Sequence, residues 1–308
     1  MGQVENRADL QVNIGSLQLK NPIMTASGTF GYGREFSQLV NLESLGGIMV
    51  KGISLKPRPG NPPPRIVETA SGMLNAIGLQ NVGVKRFITE KMPYFKGMNL
   101  PVVVNILGDS LEEYREITEM LRGVEGVSAI EVNISCPNVK HGGVAFGTNP
   151  DMAAKVTRTV KDAADVPVMV KLSPNVTDIC EIARAVEAGG ADSLSMINTL
   201  IGMGIDIKTR KPKLANVIGG LSGPAIKPVA LRMVYQVFQA VKLPIIGIGG
   251  IATVEDVIEF MLAGATAVQI GTANFVDPSC SEIITRQLAD YVETEGLTSI
   301  CDLIGAAH

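Results

Sequence analysis

The feature that most constrains the fold of this chain is a short apolar segment, rich in β-branched residues, that recurs eight times. Each segment ends in polar residues or glycine, and a longer segment of helical character follows several of them. No residue identity connects the repeats, so a pattern of elements recurs rather than a sequence. The eight segments span residues 22–26, 47–50, 102–106, 129–134, 168–172, 192–197, 244–248 and 267–270.

Helical patterns fill several of the intervals between these segments. Apolar residues recur at helical spacing over 111–122, 151–164, 177–188 and 253–263, with capping residues such as Ser110 and Asn149 before two of them. Apolar strands that alternate with helices predict a parallel sheet covered on both faces. Eight such units predict an α/β fold of the (β/α)8 TIM-barrel type. The competing open, doubly wound sheet carries its glycine turn after the first strand, whereas the glycine-rich turns of this chain come late.

Three segments exceed the simple strand–helix unit. They span residues 54–99, 137–148 and 200–223. We expect them to be insertions at the C-terminal face of the strands, where they would form lids, substrate loops or partner surfaces. The whole chain, 1–308, is predicted to form a single domain, since barrels of this type commonly reach this length.

Charge and cysteine pattern argue against several classes of protein. The 308 residues carry a formal net charge of −3, which does not favour a nucleic-acid surface. The basic cluster 208–213 is interpreted as a solvated loop. The 4 cysteines are scattered without a C-x-x-C pair, so neither a zinc nor an iron–sulfur site is expected in this chain. No apolar segment approaches the roughly 20 residues that span a bilayer, and we predict a cytoplasmic protein without membrane contact.

The residues at the C-terminal ends of the predicted strands indicate the kind of ligand. In barrel enzymes the chemistry is built at this end. The set is rich in hydrogen-bond donors and poor in acids, which suits a polar, anionic organic ligand. It has no metal-ligand spacing, so no metal site is predicted. The strand-end residues are Ser27, Gly28, Lys51, Gly52, Asn105, Asn133, Ser135, Lys171, Asn198, Thr199, Gly249, Gly250, Gly271 and Thr272.

Two glycine turns, after the seventh and eighth predicted strands, indicate phosphate binding. Gly249-Gly250 and Gly271-Thr272 would let backbone N–H groups approach a phosphate closely. A single turn of this kind would be read more simply as a tight turn. Two together, in the loops where this fold often binds phosphate, favour a phosphate site. The glycine-rich turn 219–223 is expected to border the same ligand.

Two lysines and one cysteine are the candidate reactive groups. Lys51 and Lys171 each end an apolar strand, where they either extend to the rim or hold anions in one pocket. The second interpretation fits two lysines at the same end of the barrel, one against a cofactor ring and one against a substrate oxygen. Cys136 follows the fourth segment and precedes a glycine-containing loop. It is either a catalytic thiol below a lid or a buried structural cysteine.

Four motifs of this chain resemble the dihydroorotate dehydrogenases: Asn133-Ile-Ser-Cys-Pro-Asn138, Asn75-Ala-Ile-Gly-Leu79, Ile248-Gly-Gly250 and Ile270-Gly-Thr272. The resemblance extends from about Leu17 to Leu303. A cysteine at the base position resembles class 1 enzymes, since the membrane-associated class uses serine there. The segment 139–143 is more similar to the NAD-linked class 1B catalytic subunit than to the fumarate-linked class 1A homodimer.

This resemblance implies FMN in the barrel mouth and oxidation of (S)-dihydroorotate to orotate in pyrimidine (UMP) biosynthesis. It implies catalytic roles for Cys136, Lys51 and Lys171. It places FMN near Ser27, Lys51, Gly52, Asn105, Asn133, Lys171, Ile197, Gly223, Gly249, Gly250, Gly271 and Thr272. It places the substrate near Lys51, Asn75, Ala76, Ile77, Gly78, Leu79, Asn133, Asn198 and Thr199.

The implied reaction matches the chemistry of these side chains. The C5 proton of dihydroorotate is weakly acidic, so a positioned base is required, and an ionised Cys136 can serve. The C6 hydride passes to the flavin, and Lys171 supplies fixed positive charge where negative charge develops. The asparagines offer a donor and an acceptor to a pyrimidine edge. The loop after Cys136, through His141 and Gly143, is expected to close over the substrate.

The electrons must then reach a final acceptor. The chain has no G-x-G-x-x-G after its first predicted strand and no cysteine cluster. The resemblance therefore implies NAD+ as acceptor and a partner subunit that carries FAD and a [2Fe–2S] cluster, in a heterotetramer around a homodimer. Two alternatives stay open, a fumarate-dependent class 1A homodimer and a non-catalytic phosphate-ligand-binding barrel in which Cys136 is structural.

Overall fold

Eight parallel strands form the centre of the protein, in the order β3-β16-β15-β10-β9-β8-β7-β4. The computed structural model describes residues 9–135 and 146–308. The strands in this part of the chain are β1 Val12–Ile14, β2 Leu17–Leu19, β3 Ile23–Thr25, β4 Ile48–Met49, β5 Ile66–Thr69, β6 Gly72–Asn75, β7 Val102–Ile106, β8 Val127–Asn133, β9 Val168–Lys171, β10 Ser193–Met196, β11 Leu200–Met203, β12 Ile205–Asp206, β13 Lys211–Pro212, β14 Ile218–Ser222, β15 Ile245–Ile248 and β16 Ala265–Ile270.

The first and last strands of this order meet, and the sheet closes into a barrel. Met24 of β3 forms a parallel bridge with Gly47, just before β4. The Gly46 N–H also donates to the Ile23 carbonyl at 2.9 Å. The predicted (β/α)8 architecture is confirmed, and each of the eight predicted segments overlaps one barrel strand.

Helices connect most of the barrel strands, and the sequence signals for their ends are confirmed. Ser110, Asn149, Asp178 and Thr253 each accept a backbone N–H at a helix start. The four predicted helices agree with α2, α3, α4 and α6 within two residues at either end. The helices are α1 Val84–Arg86, α2 Leu111–Leu121, α3 Pro150–Ala163, α4 Ile179–Ala188, α5 Lys227–Ala240, α6 Val254–Leu262, α7 Ala273–Val276 and α8 Cys280–Thr294.

The apolar core lies between the barrel and this helical layer. Tyr114, Phe87 and Phe260 are fully buried there, each on a helix or helical turn that faces a barrel strand. The hairpin β1–β2 covers the N-terminal end of the barrel, because its turn residue Gly15 lies against Asp192, directly before β10. The opposite, C-terminal end therefore remains as the mouth, where the candidate residues were expected.

Two of the predicted insertions join in a second sheet. Strands β11-β14-β6-β5 are antiparallel, so the insertion after β4 pairs with the insertion after β10. The hairpin β12–β13 extends from this unit. The sequence interpretation of 219–223 as a turn is wrong for most of its length. Residues Ile218–Ser222 are the strand β14, in which Gly219 lies against the Asn75 backbone and Gly220 against the Thr199 side chain, and only Gly223 turns the chain.

The third predicted insertion is described only in part. Residues 137–145, with Cys136 directly before them, lie outside the described residues, as do the expected lid residues His141 and Gly143. The segment resumes in a short 3-10 turn, Phe146–Thr148. The assignment of 1–308 to a single domain stays a prediction.

Candidate functional site

The mouth is built around the Lys171 ammonium at the end of β9. Lys171 is 5% exposed, and its Nζ donates to Ser27 Oγ, after β3, at 3.2 Å. The same Nζ lies 3.9 Å from Glu131 Oε2 of β8. A lysine buried this deeply needs partners, and these two hold its charge at a fixed place. The expectation that Ser27 and Lys171 lie together at the mouth agrees with this geometry.

Lys51 lies at the end of β4 and is half-buried, with its backbone N–H donating to Gly31 O at 2.8 Å. Removal from water lowers the pKa of its ammonium below the ordinary value, and the nearby Arg65 guanidinium lowers it further. The Glu35 carboxylate opposes this shift. Lys51 is therefore a cation whose charge the protein stabilises poorly, and an added anion would improve its environment.

Asn105 of β7 and Gly52, which follows the adjacent strand β4, approach each other closely. A Cβ at Gly52 would lie 2.5 Å from Asn105 Oδ1, so any side chain there would displace the amide. Asn105 is 1% exposed, and its Nδ2 donates to Glu131 Oε2 at 2.5 Å. The Asn105 amide is therefore fixed from both sides, at the level of the Lys171 ammonium.

Asn133 and Asn198 form a second polar group at the mouth. Asn198 Nδ2 donates to Asn133 Oδ1 at 3.4 Å, and Asn133 Oδ1 also accepts the Ser135 N–H at 3.1 Å. The Asn133 carbonyl accepts from Tyr114 Oη at 2.7 Å, which ties the end of β8 to α2. Thr199 N–H donates to Asn198 Oδ1 at 2.8 Å. These contacts orient two amides at the ends of β8 and β10, on either side of β9.

The segment 75–79 reaches the mouth through the antiparallel sheet. Asn75 pairs with Gly220 of β14, and its Nδ2 donates to Gly220 O at 3.4 Å. Asn61 holds the following residues, since its Nδ2 donates to Ala76 O at 3.0 Å and its N–H donates to Ile77 O at 2.9 Å. The segment ends in Gly78 and Leu79, both with positive φ. Asn61 is thus a supporting residue that the sequence motifs did not reveal.

The glycine turns after β15 and β16 lie beside Gly223. A Cβ at Gly250 would lie 2.8 Å from Gly223 O, and the φ values of 75° and 96° at these two positions favour glycine. A Cβ at Gly249 would approach Ile197 Cγ1 at 3.6 Å. Thr272, after Gly271, donates from Oγ1 to Ser222 Oγ at 2.8 Å. Ser222 at the end of β14 is a neighbour that the sequence did not predict.

A buried carboxylate is the main feature that the sequence interpretation missed. The expectation of few acids concerned the strand ends, whereas Glu131 lies inside β8, two residues before Asn133, and is 0% exposed within the barrel. Its oxygens accept from Asn105, Ser195 Oγ and Gln269 Nε2. The available signal was an acid inside an otherwise apolar strand, matched by polar residues inside three others. In the described part of the chain, no three His, Cys, Asp or Glu side chains cluster as a metal site.

The fold and this site define a class: a (β/α)8-barrel protein whose mouth holds two lysines, several asparagines and a pair of glycine turns, suited to an anionic organic ligand. Within residues 9–135 and 146–308, no helix has the length and apolar character needed to cross a membrane. The comparisons with known proteins make the class specific.

The sequence profile described as dihydroorotate dehydrogenase matches residues 9–292. A protein of Geobacter sp. (strain M21), named dihydroorotate dehydrogenase B (NAD(+)), catalytic subunit, is 59% identical over 300 residues, which are 97% of this chain and 98% of that protein. Its namesake in Geobacter metallireducens is equally similar, and that of Geobacter sulfurreducens is 58% identical over 97% of this chain and 98% of its own length. The chain belongs to the dihydroorotate dehydrogenase family, and the resemblance to its NAD-linked class is confirmed.

Proposed function

We propose that this protein is the catalytic subunit of an NAD-linked dihydroorotate dehydrogenase, which oxidises (S)-dihydroorotate to orotate in pyrimidine biosynthesis. The observation that carries the proposal is the mouth itself. The Lys171–Ser27 pair, the Asn133–Asn198 pair and the glycine turns beside Gly223 converge at one end of a barrel that matches the family over 9–292.

FMN is the cofactor of this mouth, and the donor set fits it. Backbone N–H groups at Gly249, Gly250, Gly271 and Thr272, with Gly223 beside them, would hold the phosphate, because no side chain of the glycines blocks its approach. The flavin ring system would be held by Ser27, Lys51, Gly52, Asn105, Asn133, Lys171 and Ile197. Bound FMN supplies the acceptor for the hydride from C6 of the substrate. Lys171 contributes a fixed cation that no solvent reorganisation needs to provide.

The substrate is held by Lys51 and the three asparagines. The Lys51 ammonium pairs with the substrate carboxylate, which offsets the loss of hydration that lowers its pKa. Asn75, Asn133 and Asn198 offer amide donors and acceptors to the flat pyrimidine ring. The backbone of Ala76, Ile77, Gly78 and Leu79, and the Thr199 hydroxyl, complete the contact surface.

Proton abstraction from C5 is assigned to the Cys136 thiolate, with Lys51 and Lys171 as the other catalytic residues. Cys136 lies outside the described residues, so this role rests on the family motif and on its position three residues after Asn133. The thiolate takes the proton and becomes a thiol, and no covalent intermediate forms. The loop 137–148 is proposed to close over the substrate and to exclude water.

The electrons leave through a partner. The relatives carry "catalytic subunit" in their names, which favours a separate electron-transfer subunit. We propose that this partner carries FAD and a [2Fe–2S] cluster, that the assembly is a heterotetramer around a homodimer, and that it works in the cytoplasm. The alternative that must be tested against this assembly is the fumarate-dependent homodimer.

Removal of the proposed base, Cys136, should stop flavin reduction without loss of the cofactor. The purified protein should be yellow, and anaerobic dihydroorotate should bleach the flavin absorbance. Cys136→Ala should retain FMN and lose nearly all flavin reduction, because the remaining donors bind the cofactor but none removes the C5 proton. In the unaltered protein the rate of flavin reduction should rise with pH as the thiol ionises, with an apparent pKa near or below the ordinary cysteine value of about 8.5. Unchanged reduction in Cys136→Ala, or a flat profile between pH 5 and 9, contradicts the base assignment.

The composition of the purified complex separates the alternatives. FMN, FAD and iron–sulfur absorbance with NAD+ reduction support the partnered enzyme. FMN alone with fumarate reduction supports the class 1A homodimer. A colourless protein that does not bind FMN when reconstituted contradicts the proposal and leaves the non-catalytic barrel.

A further inference from the structure

The Glu131 carboxylate is the group that connects most of the polar residues inside the barrel. Ser195 Oγ donates to its Oε1 at 2.6 Å and Gln269 Nε2 donates to the same oxygen at 2.9 Å. Asn105 Nδ2 donates to Oε2 at 2.5 Å, and Lys171 Nζ lies 3.9 Å from Oε2. Residues of β7, β9, β10 and β16 thus converge on one side chain of β8.

The two oxygens of this carboxylate have different surroundings. Oε1 meets two neutral donors, whereas Oε2 meets the Asn105 amide and faces the Lys171 ammonium. Both Asn105 and Lys171 belong to the proposed FMN site. A buried charge is costly without compensation, but three hydrogen bonds and a cation within 4 Å compensate this one. Glu131 is therefore built in as an anion on the side of the cofactor residues.

We propose that Glu131 is a positioning residue for FMN, which holds Asn105 and Lys171 in place and limits the positive charge that Lys171 presents to the flavin. The inference rests on the proposed FMN site. An anion beside Lys171 offsets part of its field, and the field of a buried charge is weakly screened. Reduced flavin is more negative than oxidised flavin, so loss of the Glu131 charge would stabilise the reduced form.

A purely structural role for Glu131 predicts a different result. In that case its hydrogen bonds only connect neighbouring strands, and a neutral isostere would alter stability without altering the cofactor. The reduction potential of bound FMN and the FMN dissociation constant therefore distinguish the two roles, and neither readout requires turnover.

The test compares Glu131→Gln, Glu131→Asp and the control Ser195→Ala with the unaltered protein, each loaded with FMN and titrated against a reference dye. At a fixed potential, Glu131→Gln should raise the ratio of reduced to oxidised FMN at least about tenfold, which is about 30 mV for a two-electron couple. Ser195→Ala removes a neutral donor from Oε1 and should change the ratio less than about threefold, about 15 mV on the same scale. Equal ratios in Glu131→Gln and the unaltered protein overturn the proposal.

Glu131→Asp keeps the charge but withdraws it from Asn105 and Lys171. Its FMN dissociation constant should rise about tenfold or more, the loss expected for a hydrogen bond to a charged group, while the reduced-to-oxidised ratio should rise less than in Glu131→Gln because the negative charge stays inside the barrel. This arm decides the matter if Glu131→Gln does not fold, since an unchanged dissociation constant contradicts the positioning role. Failure of the unaltered protein to bind FMN would instead contradict the proposed function and is visible before any variant is made.

Discussion

At the scale of single residues, Lys51 is the group of the proposed substrate site whose charge state the protein perturbs. Its pKa is lowered by burial and by Arg65, and Glu35 only partly offsets these effects. The free protein therefore releases the Lys51 proton at a lower pH than an exposed lysine would. A bound carboxylate favours the protonated form, so substrate binding raises this pKa again.

The sign of the pH dependence follows from this linkage. Dihydroorotate affinity should be constant at low pH and should weaken as the pH rises through the lowered pKa of Lys51, below its ordinary value of 10.5. Lys51→Met should raise KM about 10- to 100-fold, because one charged hydrogen bond is lost. It should also remove the loss of affinity at alkaline pH, because the titrating ammonium is gone. Lys56 is exposed, so Lys56→Met is the matched control and should leave both KM and its pH dependence unchanged. Steady-state KM between pH 6 and 10 checks this, and an alkaline decline that persists in Lys51→Met contradicts it.

Residues that act by ending a strand were easier to predict than residues that act from within one. Lys51, Lys171, Asn133 and Asn198 interrupt apolar runs at their ends, and the structure brings them to one mouth. Glu131 lies inside such a run, where its role depends on donors from strands far away in the sequence. Nothing local to Glu131 specifies those partners, so its network could be found only from the folded barrel.

At the scale of elements, the antiparallel sheet β11-β14-β6-β5 holds several residues of the proposed substrate site. Through it, Asn75 is held at Gly220 and Thr199 lies directly before β11. Asn175 supports the same region, because its Nδ2 donates to Thr199 O at 3.0 Å. The barrel strands and the capped helices were predictable because their periodic apolar patterns are local. This sheet was not, because its strands are half-exposed, rich in glycine and paired across long sequence separations.

Gly220→Ala tests whether this sheet positions the substrate. A Cβ there would lie 2.1 Å from Thr199 Oγ1, and the position has no positive φ that would confuse the result with backbone strain. We expect KM for dihydroorotate to rise about tenfold, consistent with the roughly 1–3 kcal/mol that overpacking costs, with FMN content unchanged. For the control Gly204→Ala, in the same insertion, a Cβ would lie 3.3 Å from the flexible Lys213 side chain and 3.7 Å, an ordinary van der Waals distance, from Leu74 Cδ1, so KM should stay unchanged. Equal KM values in both variants would argue against a positioning role for the sheet.

At the scale of the whole molecule, the barrel is closed by few contacts at the β3–β4 seam. The backbone joins there through the bridge between Met24 and Gly47 and the bond from Gly46 N–H to Ile23 O. The Thr25 hydroxyl adds two bonds to Met49, accepting its N–H at 3.1 Å and donating to its carbonyl at 3.4 Å. The first strand–helix unit has short 3-10 turns, Arg34–Phe36 and Leu42–Ser44, in place of a long helix. The proposed FMN site draws residues from β3 and β4 as well as from β15 and β16, so the ligand bridges this seam.

If FMN bridges this seam, it should stabilise the whole barrel, and thermal unfolding of the FMN-free and FMN-loaded protein tests this. Because one barrel contains all the cofactor residues, we expect a single transition, in agreement with the predicted single domain. FMN at about 100 times its dissociation constant should add about 2.7 kcal/mol to the free energy of unfolding, which appears as a higher Tm. Differential scanning calorimetry measures both. Two separate transitions, of which FMN shifts only one, would contradict the prediction.

The pairing of β6 with β14 has a consequence for protein engineering and for divergence. Residues 66–75 and 200–222 are far apart in the chain, yet each supplies half of one structural unit. A recombinant that takes one of these segments from a distant relative would combine mismatched halves. We therefore expect chimeras to retain substrate selectivity only when both segments are exchanged together, as a single transplantable module.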